Sequence, residues 1–156
     1  MSTLLYFPQK RLVVIDVDTT GVGETDKLIA VHGVEVVSNE LTGVFFHVFM
    51  NKRSRKEYMN YFSDYEYDVD KIKKKKFFFE FIKNATIVSH NINFDIDFIN
   101  KEFGCDINKR DCVCTMQISK NIFKYYNLES LAYFYQILVD KKDYHNGIVD
   151  ATALAK

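Results

Sequence analysis

Apolar positions along this chain follow two rhythms. Arg11 to Val17 is apolar on both alternating faces, as a strand in the middle of a covered sheet should be. Lys27 to Val37 and Leu41 to Met50 predict two more strands, joined by the short hairpin-like connection Ser38-Asn39-Glu40. A polar and basic stretch, Asn51 to Glu57, interrupts the pattern. Val69 to Lys83 then reads as a helix with a lysine-rich face. Thr86 to Ser89 predicts a short apolar strand, and Ile92 to Phe103 a helix of 3.6-residue period closed by Gly104. Cys112 to Thr115 predicts a short strand, Leu128 to Ile137 a helix, and Ile148 to Ala155 the last helix. Early strands followed by alternating strands and helices imply an α/β fold, a central sheet covered by helices.

A length of 156 residues suits one domain, 1–156, with one core, and a hydrophobic content of 47% can fill it. Fourteen Phe and ten Tyr predict that this core is rich in aromatic rings. The 21 basic and 21 acidic side chains leave no net charge, so no global positive field advertises a polyanionic partner. Basic patches beside an acidic site would cancel in that sum, and Lys52-Arg53-Ser54-Arg55-Lys56 and Lys73 to Lys76 are such patches. They are candidate phosphate contacts, or simply solvated faces. Cys105, Cys112 and Cys114 give an odd count without C-x-x-C spacing, which predicts reduced thiols rather than a zinc site. Met1 to Lys10 is too short and mixed for a signal peptide. No apolar run approaches the roughly 20 residues of a membrane span. A soluble cytoplasmic protein is the expectation.

Carboxylates in unusual positions carry the chemistry. Asp16 and Asp18 are two apart on a strand, so they share one face and continue the row of Leu12 and Val14. Acids on a face that is otherwise core are costly unless paired or metal-bound. The carboxyl end of a strand in an α/β sheet is also where ligands commonly bind. Asp95 interrupts an apolar helical stripe, with Ile92 three residues before it and Ile99 four after. A first-turn acid is also favoured by the helix dipole. Asp150 shares its helical face with Ala153 and Leu154. His145, five residues earlier and beyond Gly147, belongs to the lead-in loop, from which it can swing over a site. Four acids drawn into one cleft repel one another unless cations bind between them. Divalent metal ions, and with them phosphate chemistry, are the leading expectation.

The three segments Asp16-Val17-Asp18-Thr19-Thr20-Gly21, His90-Asn91-Ile92-Asn93-Phe94-Asp95 and His145-Asn146-Gly147-Ile148-Val149-Asp150 resemble, in order and spacing, the motifs of DEDD-type 3′→5′ exonucleases of the histidine subclass. The stretches 27–50, 90–103 and 127–132 are similar to the proofreading epsilon subunits of bacterial DNA polymerase III. The likeness spans nearly the whole chain and thins between Asn51 and Lys83. It implies a ribonuclease H-like fold with a mixed central sheet, two Mg²⁺ or Mn²⁺ ions, and removal of nucleotides from DNA 3′ ends. By the same resemblance Asp16, Asp18, Asp95 and Asp150 are the metal ligands and His145 the general base. Thr19, Thr20 and Gly21 contact the terminal nucleotide, His90 and Asn91 open the second motif, and Phe94 is its packing aromatic. The ions would lie about 3.5–4 Å apart, bridged by Asp16.

Three departures accompany the resemblance. Asp18 stands where the family usually has Glu, a reach shorter by about 1.5 Å. A shifted backbone, a bridging water or a weakly held ion would accommodate it. Ala30 replaces a position that is usually acidic or polar, and the His-Gly pair expected around Tyr61 to Tyr67 is absent. The extension through which the family attaches to the polymerase catalytic subunit is not among these residues, so that partner is implied by resemblance alone. Trimming of RNA or oligonucleotides, or a catalytically weakened DNA- or polymerase-binding subunit, are the alternative expectations.

Overall fold

The computed structural model describes residues 10–50, 70–144 and 146–156. Expectations for Met1 to Gln9, Lys52 to Lys56, Tyr61 to Tyr67, Val69 and His145 lie outside these residues.

Five strands form one mixed sheet in the order β3-β2-β1-β4-β5. They are β1 (Arg11–Thr19), β2 (Leu28–Val37), β3 (Glu40–Phe49), β4 (Thr86–Ser89) and β5 (Val113–Cys114). The first three run antiparallel to one another, whereas β4 pairs parallel with β1 and β5 parallel with β4. The β2–β3 hairpin closes on Val37 and Glu40, and its turn residues Ser38 and Asn39 take φ of 54° and 65°. Two consecutive left-handed residues mark the tight turn whose twist matches the flanking strands.

The helices are α1 (Lys71–Ile82), α2 (Ile92–Phe103), α3 (Thr115–Lys120), α4 (Leu128–Phe134) and α5 (Gly147–Ala155). The structure places α2 at the predicted bounds, with Gly104 ending it in the left-handed conformation at φ 56°. Helix α1 starts at Lys71 because the Asp70 side chain accepts from the Ile72 amide. Arg11 closes its other end by donating to the carbonyls of Phe81 and Lys83 while pairing with Glu35. Helix α4 stops at Phe134, short of the predicted Ile137, because Gln136 turns to φ 58°. Helix α3, with little periodicity in six residues, was not visible in the pattern.

Alternation along β1 sends its side chains into two different cores. Val13, Ile15 and Val17 pack with Phe78, Ile96, Ile99 and Phe103 beneath α1 and α2. Val14 packs with Val34, Val36, Val88 and Ala151 beneath α5. Asp16 and Asp18 continue the second row. Among the described residues no helix is long and apolar enough to cross a membrane, and the three cysteines are free thiols.

Candidate active site

Where β1 outruns β4, the site opens. Pairing between them covers Leu12 to Val14, after which β4 turns into α2 and β1 continues to Thr19. Between Asp18 and Thr19 the β1–β2 register slips: Asp18 faces Ala30 but Thr19 faces Leu28, leaving Ile29 as a bulge. Bulges of this kind re-aim side chains at functional ends of strands.

Asp95 fills the opening from the α2 side. It is 3% exposed, and Ser89 Oγ donates to its Oδ2 at 2.6 Å. Burial pushes its carboxyl up to about 7, against the opposing hydrogen bonds from Ser89 and from the backbone amides of Asp95 and Val17. The Val17 amide therefore has a carboxylate where a neighbouring strand would otherwise have supplied a carbonyl.

Asp16 is raised well above the ordinary carboxylate range. Burial is the leading cause, followed by the charges of Asp95, Asp150 and Asp18. That mutual influence locates all four acids at one end of the sheet. Asp150 arrives from the opposite face to Asp95, in the first turn of α5, and is buried. Asp18 is oriented by the ring of His32, whose Nε2 lies 2.8 Å from Asp18 Oδ2. Among the described residues no three His, Cys, Asp or Glu side chains stand close enough to hold an ion as they are. The donor set is nonetheless all oxygen and carries more negative charge than it can neutralise internally, which is what a hard divalent cation requires.

Residues around the acids divide into those facing the opening and those that shape it. Thr19 Oγ1 donates to the Gly21 carbonyl at 2.7 Å, and Thr20 Oγ1 donates to Asp26 at 2.8 Å. Asp26 also accepts from the Gly23 amide, and these hydrogen bonds hold its carboxyl below the ordinary range. A side chain at position 21 would put its Cβ 2.6 Å from Asp26 Oδ2 and displace that carboxylate from its place in the turn. Lys101 on α2 donates to the carbonyls of Glu24 and Asp26 and pins this loop. Between loop and helix lies a cleft of about 420 Å³ whose lining includes Val22, Phe94, Phe98 and Lys101. Phe94 packs against Phe98 with centroids 4.9 Å apart and ring planes tilted by 52°.

Asn91 heads α2 at φ 99° with no side-chain cap, a strained conformation for a residue other than glycine and of the kind that gathers at functional sites. The His90 ring engages the start of α3: its Nδ1 is 3.0 Å from Thr115 Oγ1, and Thr115 in turn donates to the Ser89 carbonyl. Burial lowers its pKa. It ties the end of β4 to the start of α3. Tyr144 is close enough to Asp150 and Glu129 for their charges to add to burial in raising its phenol.

Three residues of this site were not singled out from the sequence. Ser89 and Asp26 bear ordinary polar side chains whose partners are set by chain folding. His32 had a weak signal, a histidine within the apolar run Leu28 to Val34, but its meaning depends on cross-strand register. The lysine run also resolves: Lys75 Nζ donates to the carbonyls of Phe103 and Gly104 at 2.8 and 3.3 Å, and Lys74 to that of Met50. Lys73 and Lys76 face solvent.

An exonuclease family model matches residues 13–156, so the chain belongs to that family. It is a 3′→5′ exonuclease, a nuclease of the hydrolase class. More particularly, it is 32% identical to DNA polymerase III subunit epsilon of Escherichia coli strain K12, over 94% of this chain and 69% of that protein. It is 30% identical to the epsilon subunit of Salmonella typhimurium (94% and 69%) and 29% identical to that of Buchnera aphidicola from Baizongia pistaciae (94% and 68%).

Proposed function

We propose that this chain hydrolyses DNA from its 3′ end to nucleoside 5′-monophosphates and proofreads for a replicative polymerase of the polymerase III type. The observation that carries the reading is the convergence of Asp16, Asp18, Asp95 and Asp150. Two strand acids and two helix acids meet from both faces of the sheet, in a chain similar to epsilon subunits.

Asp16, Asp18, Asp95 and Asp150 would hold two Mg²⁺ or Mn²⁺ ions. Such ions, when bound, supply a nucleophile at neutral pH and stabilise charge on the leaving 3′ oxygen. The chain's own groups orient and exchange protons. Ser89 and the Val17 amide fix Asp95 so that one carboxylate edge stays committed to the protein. Thr19, Thr20 and Gly21 form the rigid turn at which the terminal nucleotide would rest, with Phe94 as an apolar wall. His145 is the proposed general base, taking the proton of the attacking water. An imidazole of ordinary pKa near 6.5 is competent for that near neutral pH. Asp95 and Asp16 carry raised pKa values that bound cations would bring back down.

Release of nucleotide from 3′-labelled single-stranded DNA, beside RNA of matched sequence, with Mg²⁺ or Mn²⁺, tests the proposal. Nucleoside 5′-monophosphates from DNA are expected, with Asp150→Asn silent and His145→Ala strongly slowed while still binding metal. Equal or faster release from RNA would defeat the DNA assignment. Undiminished turnover in His145→Ala would remove that residue from the mechanism.

A further inference from the structure

His32 is wholly buried in the middle of β2, a strand whose other buried members are apolar or small. A buried imidazole is costly unless its polar atoms are used. Cross-strand register sets it directly opposite Asp16 on one side and His47 on the other, so Asp16, His32 and His47 form one row on the α5 face. Its Nε2 reaches along the diagonal to Asp18 Oδ2 at 2.8 Å. Ala30, opposite Asp18, carries only a methyl group and leaves that diagonal open. The edge of Phe49 stands against the ring, with centroids 5.8 Å apart and planes at 83°.

The ring is confined from above by the backbone of α5. A Cβ placed on Gly147 would lie 2.3 Å from His32 Cδ2 and 3.0 Å from Nε2. The imidazole therefore occupies the volume that any other residue at the first position of α5 would fill. Two segments far apart in sequence thus agree on one detail: α5 has no side chain at 147, and β2 has a small one at 30 beside the ring at 32 that spans the gap to Asp18.

We propose that His32 is a positioning residue for the hydrolytic site. Wedged between Gly147 and the sheet, it clamps the Asp18 carboxylate in a single orientation and sets the height of α5, hence of Asp150, over β1. The proposal rests on the reading of Asp18 as a metal ligand. A clamp matters more for a short carboxylate, which has one fewer torsion with which to find its own geometry. Hydrogen-bonding partners of metal-binding carboxylates typically change affinity or activity by roughly 10–100-fold when removed.

The test measures Mn²⁺ binding to the full chain by electron paramagnetic resonance without nucleic acid, together with thermal unfolding and steady-state nucleotide release. His32→Leu, which fills the space without a polar atom, should weaken Mn²⁺ binding by about 10–100-fold and lower kcat with little change in KM. His32→Gln, which keeps a donor, should recover most of both. Gly147→Ala should displace the ring and reproduce the loss. The double variant Gly147→Ala/His32→Ala should regain thermal stability, since the clash is relieved, but not Mn²⁺ affinity. Mn²⁺ affinity in His32→Leu within about twofold of the parent would overturn the proposal, as would recovery of affinity in the double variant. If His32→Leu does not fold, His32→Gln and Gly147→Ala decide the matter by the same readout. Asp18→Asn with parental Mn²⁺ affinity would instead sink the underlying metal-ligand reading, whatever His32 does.

Discussion

The two faces of the sheet are built from the same strands to opposite ends. Under α1 and α2, the odd-numbered residues of β1 meet large rings and branched chains: Phe78, Ile96, Ile99 and Phe103 are nearly or wholly buried there. Under α5, the even-numbered residues meet small side chains and then, toward the carboxyl end, acids and imidazoles. One face excludes water and keeps its charges at its margins, Asp95 at one end and the Arg11–Glu35 pair at the other. The other concentrates like charges that oppose folding. Strand alternation lets a single β1 serve both, and stability gained on one face offsets repulsion on the other. The lesson is that the cost of a preassembled acidic site is met one side-chain position away from it.

The sharpest division between the faces comes from Phe78→Ala. The ring is wholly buried, and its loss should cost about 3–5 kcal/mol in denaturant unfolding, the usual range for truncating a core aromatic. Nucleotide release per folded molecule should survive. Loss of activity in fully folded protein would show that the faces are not separable.

Asp16→Asn should do the reverse. Removal of a charge central to the cluster is expected to slow nucleotide release by about 100–1,000-fold, the scale of losing one preorganised electrostatic contact. In metal-free buffer the same variant should melt higher than the parent, because burial and three neighbouring carboxylates oppose its ionisation. The pH dependence follows the same sign. Asp95 titrates near 7 in the folded chain against 3.8 ordinarily, so the folded state holds that proton more tightly than the unfolded state. This contribution is fully present below pH 4 and is lost as pH rises through about 7. Metal-free protein should therefore lose stability across that window, and Mg²⁺ or Mn²⁺ should restore it. A lower melting temperature for Asp16→Asn would contradict the electrostatic account.

Smaller effects should separate the lysines of α1. Lys75→Gln removes a cation from the C-terminal carbonyls of α2 and should cost about 1 kcal/mol without altering the salt dependence of DNA binding. Lys73→Gln with Lys76→Gln should leave stability unchanged. If those two exposed side chains touch phosphate, the double variant makes the salt slope shallower by about 1–2. A slope that falls with Lys75 instead would reassign the run.

Much of this fold could be read along the chain, where local physics decides. Both ends of α2 were visible because its apolar stripe ends at Gly104, whose left-handed cap needs glycine. The β2–β3 hairpin was visible in Ser38 and Asn39. Asp16, Asp18, Asp95 and Asp150 stood out because each interrupts an apolar face. Other features were not visible for equally physical reasons. Helix α4 is shorter than its pattern because a left-handed Gln136 ends it early. Lys74 and Lys75 looked like a charged surface until the carbonyls they cap were brought to them from residues 50, 103 and 104.

The set of acids, the elements that carry them and the alternation that turns Asp16 and Asp18 toward one face are legible along the chain. All of these depend on residues within a few positions of each other. Tertiary structure alone decided how the acids are held. The unbroken register of β1 against β2, from Arg11–Val37 to Asp18–Ala30, brings His32 across from Asp16 and within reach of Asp18. The backbone of Gly147, more than a hundred residues later, then leaves the ring its space. Hydrogen bonds and steric exclusion act over a few ångströms, and only the folded chain determines which residues come within that distance.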